Sequence, residues 1–220
     1  MTALASSFIA TQPQLSLKQR KEWVEILIDF ETRNQYAIRG AGGEELGTLA
    51  EEQGGWTRIF WRWFLRSHRP LEAIVCDRAG AVLLRLSREF FWFFSDLDVA
   101  DGSGVKLGSI HRRFGILRRK YDLRDKFGRT FARVSSPFWR IWTFPLRADD
   151  GREATIGKKW GGMLREVFMD ADTFGVDLSR ATWSLEERAT IFCAAVSIDL
   201  DFFENNQGVG GVTSLGGLFD

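Results

Sequence analysis

Ser184 to Glu204 reads SLEERATIFCAAVSIDLDFFE, and what surrounds this stretch decides the fold. It opens with a capping box, Ser184 at the N-cap and Glu187 three residues on, in which each side chain accepts a hydrogen bond from the other's backbone N–H. From Ala189 to Phe203, eleven of fifteen residues are A, V, I, L, F or C. Thr190, Ser197 and Asp201 fall on one stripe, and Asp199 points another way. A helix apolar almost all round is either a protein core or a membrane span. Fifteen residues make roughly 22 Å of helix, short of the ~30 Å hydrocarbon layer. Asp199 and Asp201 would also cost a few kcal/mol each in lipid. The expectation is therefore a buried central helix over 185–203, and the rest of the chain must supply its wall.

The wall is legible as a repeat. Asp77-Arg-Ala-Gly80, Asp101-Gly-Ser-Gly104 and Asp125-Lys-Phe-Gly128 are all D-x-x-G, 24 residues apart, and Asp149-Asp-Gly151 follows at the same step. Gly40-Ala-Gly-Gly43 looks like an irregular earlier member. Asp accepts local backbone hydrogen bonds and Gly takes positive φ, so these are turns. Strand-like runs flank them: Leu71–Cys76, Val82–Leu86, Val105–Ile110, Tyr121–Leu123, Thr130–Val134 and Ala154–Trp160. Each period is two strands and two turns, a repeated hairpin. Continued from Tyr36 to Phe168, it gives on the order of eleven or twelve strands. A sheet that long must curl, and curling around a helix removes its free edges while covering the helix. The predicted fold is mainly β, a closed antiparallel barrel of about twelve strands around the C-terminal helix.

Outside the repeat the chain says less. Residues 1–17 are small and polar and are expected as a disordered arm, with the barrel domain over 18–205 and a flexible Gly-rich tail over 206–220. Lys18 to Phe30 begins charged and ends apolar, a short helix running into a strand. No basic n-region precedes the first apolar residues, so no secretory signal is expected. Cys76 and Cys193 sit in apolar runs and read as buried thiols in a reducing compartment.

Charge and rings mark the candidate functional surface. Net charge is +1, so no global field draws an anionic partner, and any basic patch must be local. His111 to Arg133 holds nine Lys or Arg against two Asp. Arg112, Arg113, Arg118, Arg119 and Lys120 are its densest part and are candidate contacts for anionic lipid headgroups, or for nucleic-acid phosphate as the second choice. The plain alternative is a solvated barrel face. Nine Trp and nineteen Phe against two Tyr make an unusual aromatic load, concentrated in Trp56–Phe64 and Phe90–Phe94. Trp61, Trp63, Phe91, Trp92 and Phe93 are candidate membrane-interface rings, with core packing as the alternative. His68 and His111 are the only histidines, and no Ser-His-Asp set, zinc cluster or P-loop is evident, so a conventional enzyme is not expected.

Gly157 to Gly175, GKKWGGMLREVFMDADTFG, carries a family resemblance. Trp160, Gly161 or Gly162, Arg165, Glu166 and Phe168 match W-x-G-x-x-R-E-x-F; Asp170, Ala171, Asp172, Phe174 and Gly175 match D-A-D-x-F-G. Ile198, Asp199, Phe202, Phe203 and Glu204 match I-D-x-x-F-F-E in the C-terminal helix, and Glu31, Thr32, Asn34 and Tyr36 match an early E-T-x-N-x-Y, followed by Arg69-Pro70 and Asp77 to Gly80. Over about Phe30 to Glu204 the chain resembles the phospholipid scramblases, a branch of the tubby-like barrels. The resemblance implies a twelve-stranded barrel around its C-terminal helix. It also implies calcium-stimulated, ATP-independent movement of phospholipids between leaflets, at the cytoplasmic face of a membrane. In that family D-A-D-x-F-G is the proposed calcium site, which here puts Asp170 and Asp172 forward as Ca2+ ligands, with Asp177 as a third carboxylate. As an EF-hand loop the segment fails, with Phe174 at position 5 and Ala181 at position 12. A polar turn is the competing reading. The family's Pro-rich arm and palmitoylated cysteine cluster have no counterpart, and rings at Phe90–Phe94 stand where the cysteines would be. The competing function is a soluble tubby-like barrel that binds lipid, protein or nucleic acid and transports nothing.

Overall fold

The computed structural model describes residues 2–19, 35–51, 71–89, 96–137, 139–140, 142–157 and 173–202. Two short helices, α1 (Thr2–Ala5) and α2 (Phe8–Thr11), precede β1 (Gln14–Gln19), β2 (Gln35–Arg39), β3 (Glu45–Glu51), β4 (Leu71–Asp77), β5 (Val82–Arg88) and β6 (Asp96–Asp101). Then come β7 (Lys106–Arg113), β8 (Arg118–Asp125), β9 (Thr130–Pro137), β10 (Thr143–Ala148), β11 (Glu153–Gly157) and β12 (Thr173–Asp177), and finally α3 (Leu185–Phe202). Each strand pairs antiparallel with its neighbour in sequence, and β1 pairs with both β2 and β12, closing a twelve-stranded barrel.

The repeat in the sequence is the repeat in the barrel. Glycines 43, 80, 104, 128 and 151 all take positive φ, between 82° and 89°. Asp77 Oδ1 accepts hydrogen bonds from the N–H groups of Ala79 and Ala81, both at 2.9 Å. Asp101 does the same for Ser103 and Val105, and Asp125 for Phe127 and Arg129. One carboxylate oxygen thus ties two backbone donors that the turn would leave open. Three residues beyond Gly43, Gly80, Gly104 and Gly128 the ladder skips a residue, whereas it runs unbroken past Gly151. Cys76 faces Val82 and Val75 faces Leu84, skipping Leu83; Leu107 and Phe131 are skipped likewise. These bulges bend the strands where the wall must curve. In the fourth turn Ala148, not Asp149, occupies the first position, because Gly151 closes back onto Ala148 O. The step there is therefore one residue shorter than expected.

In α3 every side chain from Ala189 to Ile198 is buried, at most 2% exposed. A run of nearly three turns buried on all sides means the wall encloses the helix. The helix packs against β6, β7, β8 and β12. Gly108 on β7 lets it approach: a Cβ there would stand 2.5 Å from both Arg124 O and Thr190 Oγ1. Thr190 satisfies its hydroxyl on Glu186 O at 2.8 Å, so the polar stripe costs little inside the barrel. Cys193 is fully buried, which pushes its thiol well up, while Cys76 is half-buried. Among the described residues no helix is long and apolar enough to cross a membrane.

The N-terminus corrects the sequence reading. Residues 2–19 are not a disordered arm but two helices and the strand that closes the barrel. Leu4, Phe8, Ile9, Leu15 and Leu17 are buried in the core. Arg188 of α3 donates through Nε to Ile9 O at 2.6 Å and through Nη2 to Gln12 O, pinning this segment to the helix. Lys18 belongs to β1 and not to a helix; the rest of 18–30, and the tail over 206–220, lie outside the described residues, apart from Gln19 in β1.

Candidate functional site: the loop rim

A meander barrel sends alternate connections to opposite ends, so a motif recurring every second connection stays at one end. All the glycine turns, at 40–44, 78–81, 102–105, 126–129 and 149–152, form one rim, called here the turn rim. The connections β7–β8 and β9–β10 leave from the opposite end, the loop rim. The described strand ends flanking 20–34, 52–70, 90–95 and 158–172 belong to the loop rim too. Trp61, Trp63, Phe91, Trp92, Phe93, Asp170 and Asp172 fall in those connections and lie outside the described residues.

The turn rim is locked. Arg152 donates from Nη1 and Nη2 to the two oxygens of Glu187, both at 2.8 Å, and its guanidinium stacks 4.4 Å from the Trp183 ring centroid. Glu187 closes the expected capping box: Ser184 N–H donates to its Oε2 at 2.8 Å, and its own N–H donates to Ser184 Oγ at 3.2 Å. Burial alone would raise the Glu187 carboxyl; Arg152 and Ser184 together hold it below its ordinary value. Asp101 shows the same balance more strongly, with burial opposed by Ser103 Oγ and the Ser103 and Val105 N–H groups, and its carboxyl falls to about 2.

The loop rim presents the predicted basic residues in two layers. Strand alternation turns Arg113, Arg118 and Lys120 outward, where all three are exposed. Arg113 Nε lies 3.2 Å from Asp122, and Arg118 Nε donates to Ser135 Oγ at 2.9 Å. Arg112 and Arg119 share the face of Ile110 and Tyr121 and turn inward, half-buried. Arg119 lies 5.8 Å over the Phe144 ring. Burial lowers its pKa, Tyr121 opposing and neighbouring Arg112 adding to the effect. Arg88 at the end of β5, which the sequence reading missed, also turns inward and is only 6% exposed. Its parity with Leu84 and Leu86 is the signal that could have found it. The rim thus carries an outer fringe of cations and an inner arginine layer at the barrel mouth.

Rings and aliphatic tips accompany the cations. Phe114, Ile116 and Leu117, in the connection between Arg113 and Arg118, are 70%, 80% and 66% exposed. Trp139 and Trp142 flank Arg140 on the next connection and are also exposed. None of these five was among the sequence candidates, which went to the longer aromatic runs instead.

Two further constellations were tested for chemistry. Asp177 Oδ1 accepts from Ser179 N–H at 2.9 Å and Oγ at 2.6 Å, so it serves a turn. It also stands a full strand, roughly 13 Å, from Thr173, the residue that follows Asp172. Asp170 and Asp172 lie outside the described residues, and among the described residues no three acidic, His or Cys side chains gather. On the outer wall Asp96 Oδ1 lies 2.9 Å from His111 Nδ1, and His111 Nε2 lies 2.9 Å from Ser109 Oγ. This hydrolase-like order was invisible in the sequence because it spans two strands. Ser109 is 3% exposed and paired with Asp98 in the ladder, so no substrate carbonyl reaches its Oγ.

The family model described as Scramblase matches residues 2–205. The chain is 27% identical over 253 residues to Altered inheritance rate of mitochondria protein 25 of Saccharomyces cerevisiae, covering 96% of this chain and 77% of that protein. It is 27% identical over 241 residues to a phospholipid scramblase family protein of Schizosaccharomyces pombe, covering 91% and 62%. It is 25% identical over 209 residues to phospholipid scramblase 2 of Bos taurus, covering 89% and 70%. No solved structure matches.

Proposed function

The chain belongs to the scramblase family, and from that premise we propose that it docks on membranes by its loop rim and moves phospholipids between leaflets without ATP. The observation that carries docking is the exposure of Phe114, Ile116, Leu117, Trp139 and Trp142 among cations on one rim. Of seven large apolar side chains exposed among the described residues, only Val105 and Phe127 stand on the other rim. Apolar tips gain by entering the acyl boundary, and each nearby cation adds about 1 kcal/mol at an anionic leaflet. Nucleic acid would be drawn by the same cations and could stack on the rings, but it gains little from the aliphatic tips Ile116 and Leu117. Leaflet exchange is slow because a charged headgroup must enter hydrocarbon; a line of guanidinium groups set into the headgroup layer offers it a polar route. Calcium enters this reading through Asp170 and Asp172, with Asp177 as a third carboxylate.

One observation favours a second reading, binding without transport. The helix is buried on every face from Ala189 to Ile198 and locked at its N-terminal end by Arg152 and Arg188. A sealed barrel opens no path through a bilayer, so transport would have to run along its outside.

The test is flotation with anionic liposomes, with calcium and with chelator, followed by a leaflet-exchange assay in proteoliposomes. Replacing Arg113, Arg118 and Lys120 with Gln is expected to weaken partitioning roughly a hundred-fold, about 1 kcal/mol for each charge. Unchanged partitioning would remove the loop rim as the contact. Binding without exchange would select the second reading.

A further inference from the structure

The β9–β10 seam of the barrel wall is not zipped along its length. β9 and β10 pair only through Ala132 with Ala148, Arg133 with Arg147 and Val134 with Leu146. Beyond Val134 and Leu146 both strands continue toward the loop rim, held by their other neighbours, without facing each other in register. Pro145 and Pro137 lie in this stretch and bring no backbone N–H. Ser136 bridges the gap with its side chain, its Oγ 3.0 Å from Thr143 O. A cleft of about 430 Å³ lies along this seam on the outer wall, lined by Arg118, Arg133, Ser135, Arg140, Arg147 and Asp149 among others.

Four guanidinium groups and one carboxylate line this cleft. Two of the four are already engaged: Arg133 with Asp149, and Arg147 with Glu153 at 2.9 Å. Arg118 is held only by neutral Ser135 groups, and Arg140 has no ion pair among the described residues. Two guanidinium groups with charge to spare suit a dianion with several acceptor oxygens better than a singly charged diester. Trp139 and Trp142 flank Arg140 in the chain and are exposed, which selects a lipid source over a soluble one.

We propose that the β9–β10 cleft binds the phosphomonoester headgroup of a membrane lipid between Arg118 and Arg140. This rests on the docking reading above and narrows it to a headgroup chemistry. The probe is phosphatidic acid, the simplest lipid with a terminal phosphate. The full chain is floated with phosphatidylcholine vesicles carrying phosphatidic acid, with vesicles carrying phosphatidylserine at matched surface charge, and with neither. About ten-fold tighter partitioning to phosphatidic acid is expected, the scale of one added charge-assisted hydrogen bond. Arg118→Gln with Arg140→Gln should lower partitioning to both charged vesicles, as any loss of two rim cations would, and erase the preference between them, while Arg78→Gln on the turn rim should leave both. If the double Gln variant does not fold, Arg118→Lys with Arg140→Lys keeps the charge and loses the planar fork, and should lose most of the preference. Equal partitioning to the two charge-matched vesicles overturns the cleft while docking stands. No binding to any vesicle overturns docking itself, and the cleft with it. Binding of glycerol phosphate in solution as tight as binding to vesicles overturns the lipid source.

Discussion

At the turn rim, Asp77, Asp101 and Asp125 each hold two backbone N–H groups, and a glycine closes every turn. At the loop rim, the connection from β7 to β8 spends its residues on Phe114, Ile116 and Leu117, all turned to water. The first arrangement satisfies backbone groups locally and needs nothing from outside the barrel. The second leaves apolar surface that burial would stabilise, and the fold does not bury it. Comparing the two separates residues that make the barrel from residues the barrel presents.

The contrast can be broken or sharpened by substitution. Gly108→Val, where α3 meets the wall, should cost on the order of 3 kcal/mol in chemical denaturation, because neither Arg124 O nor Thr190 can yield without moving strand or helix. Arg152→Ala should cost about 2 kcal/mol, since Glu187 keeps its charge and loses both Arg152 donors, retaining only Ser184 N–H. Vesicle binding by this variant should be unchanged while it stays folded; a parallel loss would mean the rims are not independent. Acid should act next. The Asp101 carboxyl titrates near 2 when folded against an ordinary 3.8, so its contribution is complete above 3.8 and is lost as pH falls through 2. That contribution is on the order of 2 kcal/mol, and Asp101→Asn should flatten thermal stability between those pH values. The smallest effect on stability belongs to the loop rim. Ile116→Ser with Leu117→Ser should stay within about 0.5 kcal/mol of wild type, and yet lower partitioning to anionic vesicles. Substantial destabilisation by that pair would end the distinction.

The turns were readable because they are local. An Asp and a Gly at fixed offsets dictate backbone geometry wherever they occur, and the capping box at Ser184 and Glu187 is readable for the same reason. Enclosure of the helix followed from its being apolar on nearly every side, with one thin polar stripe. What stayed hidden depends on distant partners. Leu15 and Leu17 alternate correctly for a strand, but their partners on β12 are Val176 and Phe174, far along the chain. The basic stretch was located, but its split into inward Arg112 and Arg119 and outward Arg113, Arg118 and Lys120 needed the strand register. The ladder between β9 and β10 stops at no residue pattern beyond two prolines, so the cleft had no sequence signature of its own.

The closing strand has a consequence for how the molecule is made. β1 leaves the ribosome first among the strands and can bond β12 only after all the others exist. α3 emerges later still, yet lies inside the ring those two strands complete. A finished ring could admit a capped eighteen-residue helix only endwise. The nascent sheet must therefore stay an open, curved sheet, with β1 and β12 as free edges, until the helix lies across it. The last hydrogen bonds to form are then those joining the earliest strand to the latest, which makes assembly slow and leaves aggregation-prone edges waiting during synthesis.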